Sequence, residues 1–372
     1  MIKPIKSLKV FYGGTFAGTI VLRQDNLCSF EYSADWLKNG FSISPIALPL
    51  KGGVFTSRYE PFDGLFGVFN DSLPDGWGRL LLDRILRRNG INPASLSPLD
   101  RLSIAGKNTM GALTYKPEYP LAMPQEEKAL SYLEKEAMKA LNEDSSADIT
   151  LLAEKCGSSC GARPKAMVKV DGEDWLVKFR NSQDPADIGR TEYKYSLIAK
   201  KAGLEMPETR LFDGKYFGVK RFDRTNGRKI HVHTAAGLLN ADFRLPSLDY
   251  ETLINATLFI TKDMKEAEKM FRLMAFNVIG QNRDDHAKNF SFICDGGKWK
   301  LSPAYDLVPS DGINGEHSTS VLGKGKPDEQ DMLSLAEKTG INLKTAKNII
   351  IQVKAAFFNY FQRNMPNHSA SL

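Results

Sequence analysis

The chain has 372 residues, 42% hydrophobic and 25% charged, with a formal net charge of +6. It is expected to bury a large core in two or three packed units, and its mild basic bias, lacking a dominant cluster, does not argue for nucleic acid. No stretch reaches the ~20 apolar residues that span a bilayer, no signal peptide is visible, and four cysteines without metal-ligand spacing argue against a disulfide or zinc scaffold. A cytoplasmic protein with free thiols is expected.

Residues 7–33 alternate with period two, as Leu8-Val10-Tyr12, Gly18-Ile20-Leu22 and Phe30-Tyr32, around Gly13-Gly14. That pattern predicts short antiparallel strands with glycine turns. A Pro/Gly-rich passage covers 45–61. Asp75 is placed as the N-cap of a helix over 76–88, with Leu80, Leu81, Ile85 and Leu86 on its apolar face and Gly90 ending it. A hairpin over 104–115 is expected to close this unit near Pro117. Within 123–147 the pattern predicts a charged amphipathic helix, a connector with Glu126, Glu127, Lys128, Glu134 and Lys135 exposed. From 156 to 223 the reading is a glycine loop, strands, one helix and more strands. From 235 onward it is mostly helix, interrupted by the segment 284–306, with 364–372 expected to fray. The division is therefore 1–120, 121–224 and 225–372.

The segment 284–306 carries the chemistry. Asp284-Asp285-His286-Ala287-Lys288-Asn289 is followed, after one hairpin, by Leu301-Ser-Pro-Ala-Tyr305-Asp306. An acid, an amide five residues on and a second acid form the set that a protein-kinase-like site uses. One carboxylate orients the attacking hydroxyl, while the Asn and the second Asp hold magnesium at the phosphates. The spacing assigns Asp284 as base and Asn289 and Asp306 to metal. Asp285 is expected to tolerate substitution better. His286 by itself reads as a structural histidine, and Lys288 could neutralise the transferred phosphate.

Upstream, 157–165 is small, polar and basic, ahead of a strand; by itself it also fits a hairpin turn. Lys178 interrupts an apolar strand, where a lysine is usually solvated, yet it precedes a helix carrying Glu192. A strand lysine paired with a helix glutamate is how kinases hold the α- and β-phosphates. The run Lys220-Arg221-Phe222-Asp-Arg224 reads either as an ordinary strand end or as the connection that passes the adenine.

Several of these segments resemble the HipA toxin-kinase family: Ile279-Gly280 with Asp284 to Ser291, the loop Ser158-Ser159-Cys160-Gly161-Ala162-Arg163-Pro164-Lys165, Thr191-Glu192-Tyr193, and Arg221-Phe222-Asp223-Arg224. Asp71 to Arg79 and Gly106 to Tyr115 are similar to its N-terminal signatures, and on physical grounds look structural. The loop departs from the family at Cys160 and Arg163. The resemblance implies an α+β, two-lobed protein-kinase-like fold with an additional β-rich N-terminal subdomain and a mostly helical C-terminal lobe. It implies ATP and Mg²⁺ as cofactors, with nucleotide contacts at Cys160, Gly161, Ala162, Arg163, Lys165, Lys178, Lys220, Arg221, Phe222, His286, Lys288, Asn289, Tyr305 and Asp306. It further implies autophosphorylation at Ser158, with Ser159 as a competing acceptor, and a helix-turn-helix antitoxin as partner, through which DNA is met. The target it implies is a translation protein such as an aminoacyl-tRNA synthetase. Two other readings stand beside it: a kinase for a lipid or small-molecule hydroxyl, and a non-catalytic antitoxin-binding scaffold.

Overall fold

Alternating burial builds the first sheet of this computed structural model, which describes residues 4–106, 109–119, 127–157 and 161–363. In β1 (Ser7–Tyr12), Leu8 and Val10 face the core while Ser7 and Lys9 face out. Gly13 and Gly14, both at positive φ (53° and 87°), make the two-residue turn into β2 (Thr15–Leu22). β3 (Cys28–Tyr32) follows, then α1 (Ala34–Asn39), β4 (Val54–Thr56) and α2 (Gly67–Asn70). Helix α3 (Gly76–Arg88) takes the span expected of it.

The hairpin expected over 104–115 is not there. Ser97 and Asp100 form a reciprocal capping box with Pro98 in the first turn, so α4 runs Pro98–Ala105 and Ile104 lies in its last turn. Among the described residues of that span only β5 (Leu113–Lys116) is strand. It pairs with β1 and completes the five-stranded antiparallel order β4-β3-β2-β1-β5.

The expected connector helix is also different. Residues 120–126 lie outside the description; beyond them come α5 (Leu130–Leu141) and α6 (Ile149–Cys156). Leu133, Ala137 and Leu152 share a core with Trp77, Leu81 and Ile85 of α3. Glu134, read as exposed, accepts hydrogen bonds from Lys215 Nζ and the Tyr216 hydroxyl, both at 2.8 Å. The helix is thus a packed element of the middle unit, because its apolar stripe finds α3.

The middle unit adds β6 (Lys165–Val170), β7 (Glu173–Lys178), α7 (Ile188–Lys201), β8 (Thr209–Phe212) and β9 (Tyr216–Lys220), in the antiparallel order β6-β7-β9-β8. A short hairpin, β10 (Arg224–Thr225) and β11 (Arg228–Lys229), leads to β12 (His231–Thr234), α8 (Ala235–Leu239), β13 (Leu248–Asp249), α9 (Tyr250–Thr261) and α10 (Met264–Ile279). Then come β14 (Ser291–Asp295), β15 (Lys298–Leu301), β16 (Thr319–Ser320), α11 (Glu329–Lys338) and α12 (Leu343–Arg363). The largest core joins Leu253 and Ile254 of α9, Phe271 and Phe276 of α10 and Ile350 and Val353 of α12 to Ile198 and Ala199 of α7. Helix α7 is therefore anchored in the rear lobe while it flanks the middle sheet. The fold is the expected α+β arrangement, and no helix among the described residues is long and apolar enough to cross a membrane.

One buried acid helps fasten the N-terminal unit to the rear lobe. Asp71 accepts from His233 Nδ1 (2.7 Å), the Thr234 N–H (2.8 Å) and the Thr234 hydroxyl (2.7 Å). Beside it Gly67 meets Gly237 so closely that a Cβ on Gly67 would lie 2.2 Å from the Gly237 oxygen. Asp71→Ala leaves buried donors without an acceptor and is expected to cost about 3 kcal/mol in urea unfolding. A loss within experimental scatter would show that these bonds do not hold the units together.

Candidate active site

The loop after α10 is shaped by two aspartates with opposite fates. Asp285 is wholly buried. Its carboxylate accepts from the Tyr250 hydroxyl (2.7 Å), His317 Nδ1 (2.9 Å), the Ser318 N–H (2.9 Å) and the Thr319 N–H (3.2 Å). This anchor turns Asp284 outward, where its side chain is open to solvent. Four donors depend on Asp285, which makes it the structural anchor of the loop. Crowding protein around Asp284 raises its pKa, chiefly by desolvation; His286 opposes this and Asp306 adds to it.

His286 Nδ1 accepts the Lys288 N–H at 3.2 Å and so starts a short 3₁₀ turn, Ala287–Asn289. Asn289 Nδ2 donates to the Asp284 carbonyl at 2.6 Å, which closes the five-residue loop and aims the amide oxygen away from it. Lys288 is buried, its ammonium against the Asp75 carboxylate and 4.0 Å from the Phe243 ring centre. The Tyr305 hydroxyl donates to the Lys288 carbonyl at 2.7 Å and lies 2.5 Å from Ser291 Oγ, so the hairpin β14–β15 is tied back to the loop.

Across the cleft, Lys178 ends β7 with Nζ 2.6 Å from Asp306 Oδ1 and 3.1 Å from Glu192 Oε2. Burial works against its charge, but Asp306 and Glu192 outweigh that and raise its pKa above the ordinary lysine value. Burial likewise works against Asp306, but Lys178, then Lys165 and Arg163, hold its carboxyl well below the usual carboxylate range. Asp306 sits at φ +56°, a left-handed conformation that Asp accepts more readily than most residues. Glu192, buried on α7, takes a second cation: Arg163 reaches its Oε1 at 2.6 Å and Asp184 at 3.2 Å. Lys165 is buried at the start of β6; a Cβ on Gly161 would meet its ammonium at 2.7 Å. Ala162 is exposed on the same loop. Ser158, Ser159 and Cys160 lie outside the described residues.

The side chains of the run 220–224 go to different partners. Phe222 stacks on Tyr305, ring centres 5.8 Å apart and planes at 30°. Lys220 instead pairs with Glu173 at 2.9 Å. Arg221 clamps Asp223, with 2.8 Å and 2.6 Å contacts, and Asp223 also accepts the Gly111 N–H at 3.0 Å. Neither cation joins the Lys178–Asp306 cluster: both are drawn to nearer carboxylates.

Asp75 is the functional candidate that sequence reasoning missed. Its carboxylate caps no helix N–H; it accepts the Gly161 N–H at 2.5 Å and faces Lys288. The only signal in the chain was an acid beside Gly76, and that is equally the signature of a cap.

For a metal, Asp306 and Asn289 offer a carboxylate and an amide oxygen. Hard oxygen donors in so small a number fit magnesium, which keeps waters and shares phosphate oxygens rather than filling an all-protein cage. No cluster of three or more His, Cys, Asp or Glu side chains among the described residues could hold a metal alone.

Comparison with known proteins now adds to the geometry. Residues 8–116 match the HipA N-terminal domain and residues 157–360 the HipA-like C-terminal domain. The chain belongs to the HipA family. Two Sinorhizobium fredii relatives, named "Putative kinase Y4dM" and "Putative kinase Y4mE", are 25% and 27% identical over 79% and 82% of this chain and 75% and 77% of their own. Among solved structures, a chain of the Shewanella oneidensis complex of HipA, HipB and operator DNA aligns with a TM-score of 0.71 and 17% identity, covering 96% of this chain and 92% of that one. In this HipA-family chain the N-terminal match covers the five-stranded sheet, and the C-terminal match spans every residue of the cleft except Asp75.

Proposed function

We propose that this HipA-family chain is an ATP- and Mg²⁺-dependent serine/threonine protein kinase of the cytoplasm, acting as the toxin of a toxin–antitoxin pair. The observation that carries the reading is Lys178 held between Glu192 and Asp306, with Asp284 and Asn289 on the facing loop. Lys178, oriented by Glu192, binds the α- and β-phosphates, and the loop from Gly161 to Lys165 covers them. Asn289 and Asp306 hold magnesium, which when bound offsets negative charge on the phosphate oxygens. Asp284, open to solvent, orients the acceptor hydroxyl and takes its proton. Phe222 and Tyr305 border the adenine. The S. fredii relatives carry kinase names, which supports the reaction class. The S. oneidensis neighbour is bound to HipB and operator DNA, which supports an antitoxin partner and contact with DNA through it. The protein substrate is a translation component such as an aminoacyl-tRNA synthetase.

The test is incubation of the purified chain with labelled ATP, with and without magnesium, against a purified synthetase, a cell lysate and small hydroxyl compounds, read by mass spectrometry. Magnesium-dependent phosphate on protein Ser or Thr is expected. Phosphate only on small compounds, or on nothing, overturns the reading.

Self-modification at Ser158 is part of the proposal. A phosphate there adds about −1.5 to −2 charges three positions before Gly161 and competes with ATP for Lys165 and Lys178. The modified chain is expected to bind ATP more weakly, and Ser158→Ala and Asp284→Asn to carry no such phosphate. Phosphate mapped only to Ser159, or unchanged ATP affinity of the modified form, contradicts it.

A further inference from the structure

Three parts of the molecule meet at the carboxylate of Asp75. It belongs to the N-terminal unit, at the start of α3. Its Oδ1 accepts the Gly161 N–H at 2.5 Å and its Oδ2 holds the Lys288 ammonium. The backbone reinforces the first contact: the Trp77 N–H donates to the Gly161 carbonyl at 3.2 Å. Gly76, at φ +41°, approaches so closely that a Cβ there would lie 2.7 Å from the Gly161 oxygen and 2.9 Å from the Ala162 Cα. Gly161 belongs to the loop assigned to the phosphates. Lys288 lies between Asp284 and Asn289, and Phe243 closes over its ammonium from the side.

We propose that Asp75 is a positioning residue for phosphoryl transfer, its carboxylate setting the separation of the glycine loop and the catalytic loop through Gly161 and Lys288. The inference rests on the kinase reading above. A lysine ammonium is a point charge on a flexible stem, and gains one direction only from a fixed, poorly solvated counter-charge. Asp75 is such a counter-charge, its side chain only 15% exposed and its backbone tied to the loop it positions. The phosphate chain of a nucleotide has to run from the glycine loop to the catalytic loop, so a shift between them of about 1 Å misaligns donor and acceptor. A side chain whose business is to cap α3 would accept one of that helix's own N–H groups, and the Asp75 carboxylate accepts none.

The full-length chain is tested as wild type, Asp75→Asn, Lys288→Gln and the double variant, with kcat and KM for ATP and the unfolding midpoint measured for each. Asparagine keeps an oxygen for the Gly161 N–H and removes only the charge facing Lys288. Asp75→Asn is expected to lower kcat by about ten- to a hundredfold, with KM for ATP changed less than about threefold and the chain still folded at a lowered unfolding midpoint. The double variant should be no slower than the slower single one, since both act through one contact. Wild-type kcat in Asp75→Asn, single losses that multiply in the double variant, or a chain that no longer folds would each overturn the proposal, the last by making Asp75 structural. A wild-type chain that transfers no phosphate instead defeats the kinase reading itself, which separates the two failures.

Discussion

Asp284→Asn is expected to lose phosphoryl transfer by about 10²–10⁴-fold while unfolding at the wild-type urea concentration. Among the described residues the Asp284 carboxylate accepts no hydrogen bond and forms no ion pair; only its backbone carbonyl is used, by Asn289. Removing its charge therefore leaves the loop's own bonds in place. Asp285→Asn, one position on, should do the reverse. Its carboxylate serves Tyr250, His317 and two backbone N–H groups, and an amide would turn a donor toward some of them, at about 3 kcal/mol or more. Unfolding curves and turnover, measured on both variants at a temperature where both are folded, separate the base from the anchor. Full transfer by Asp284→Asn would remove it from the reaction. The pH profile gives a further check. A base works ionised, so the rate falls as pH drops through its pKa, and the raised pKa of Asp284 puts that acid limb above the ordinary carboxylate value.

Asp306→Asn should abolish the magnesium dependence of ATP binding. In the wild type, calorimetry is expected to show much tighter ATP binding with magnesium than with a chelator; in the variant the two titrations should coincide. Turnover should fall by roughly 10²–10³-fold, since the lost carboxylate serves charge that develops on the phosphoryl oxygens. The substitution is clean at the backbone, because asparagine also tolerates the left-handed φ of +56°. It also frees Lys178 from its 2.6 Å partner and leaves Glu192 at 3.1 Å to hold it. Equal ATP affinity with and without magnesium in the wild type would remove Asp306 and Asn289 from metal binding.

Features encoded within a turn or two were legible from the residues. The Gly13-Gly14 turn needs positive φ at two neighbouring positions, and helix 76–88 shows its apolar stripe every three to four residues. The five-residue spacing from Asp284 to Asn289 is likewise local, and the structure closes it with one hydrogen bond. A local feature was also overlooked: Ser97 and Asp100, three apart, make the capping box that turns the expected hairpin into a helix. Other decisions needed partners far along the chain. Nothing in Asp284-Asp285 says which carboxylate is buried; that follows from Tyr250 and His317, 35 and 32 residues away. Asp75 reads as a cap until Gly161 and Lys288 arrive from 86 and 213 positions on. The side chains of Lys220 and Arg221 read as unpartnered until Glu173 and Asp223 take them, and Glu134 reads as exposed until Lys215 and Tyr216 cover it. Backbone geometry and amphipathic period are properties of neighbouring residues, so sequence alone determines them. Whether a charged side chain is solvated, paired or turned into a cleft depends on which distant charge comes within about 4 Å of it, and only the folded chain decides that.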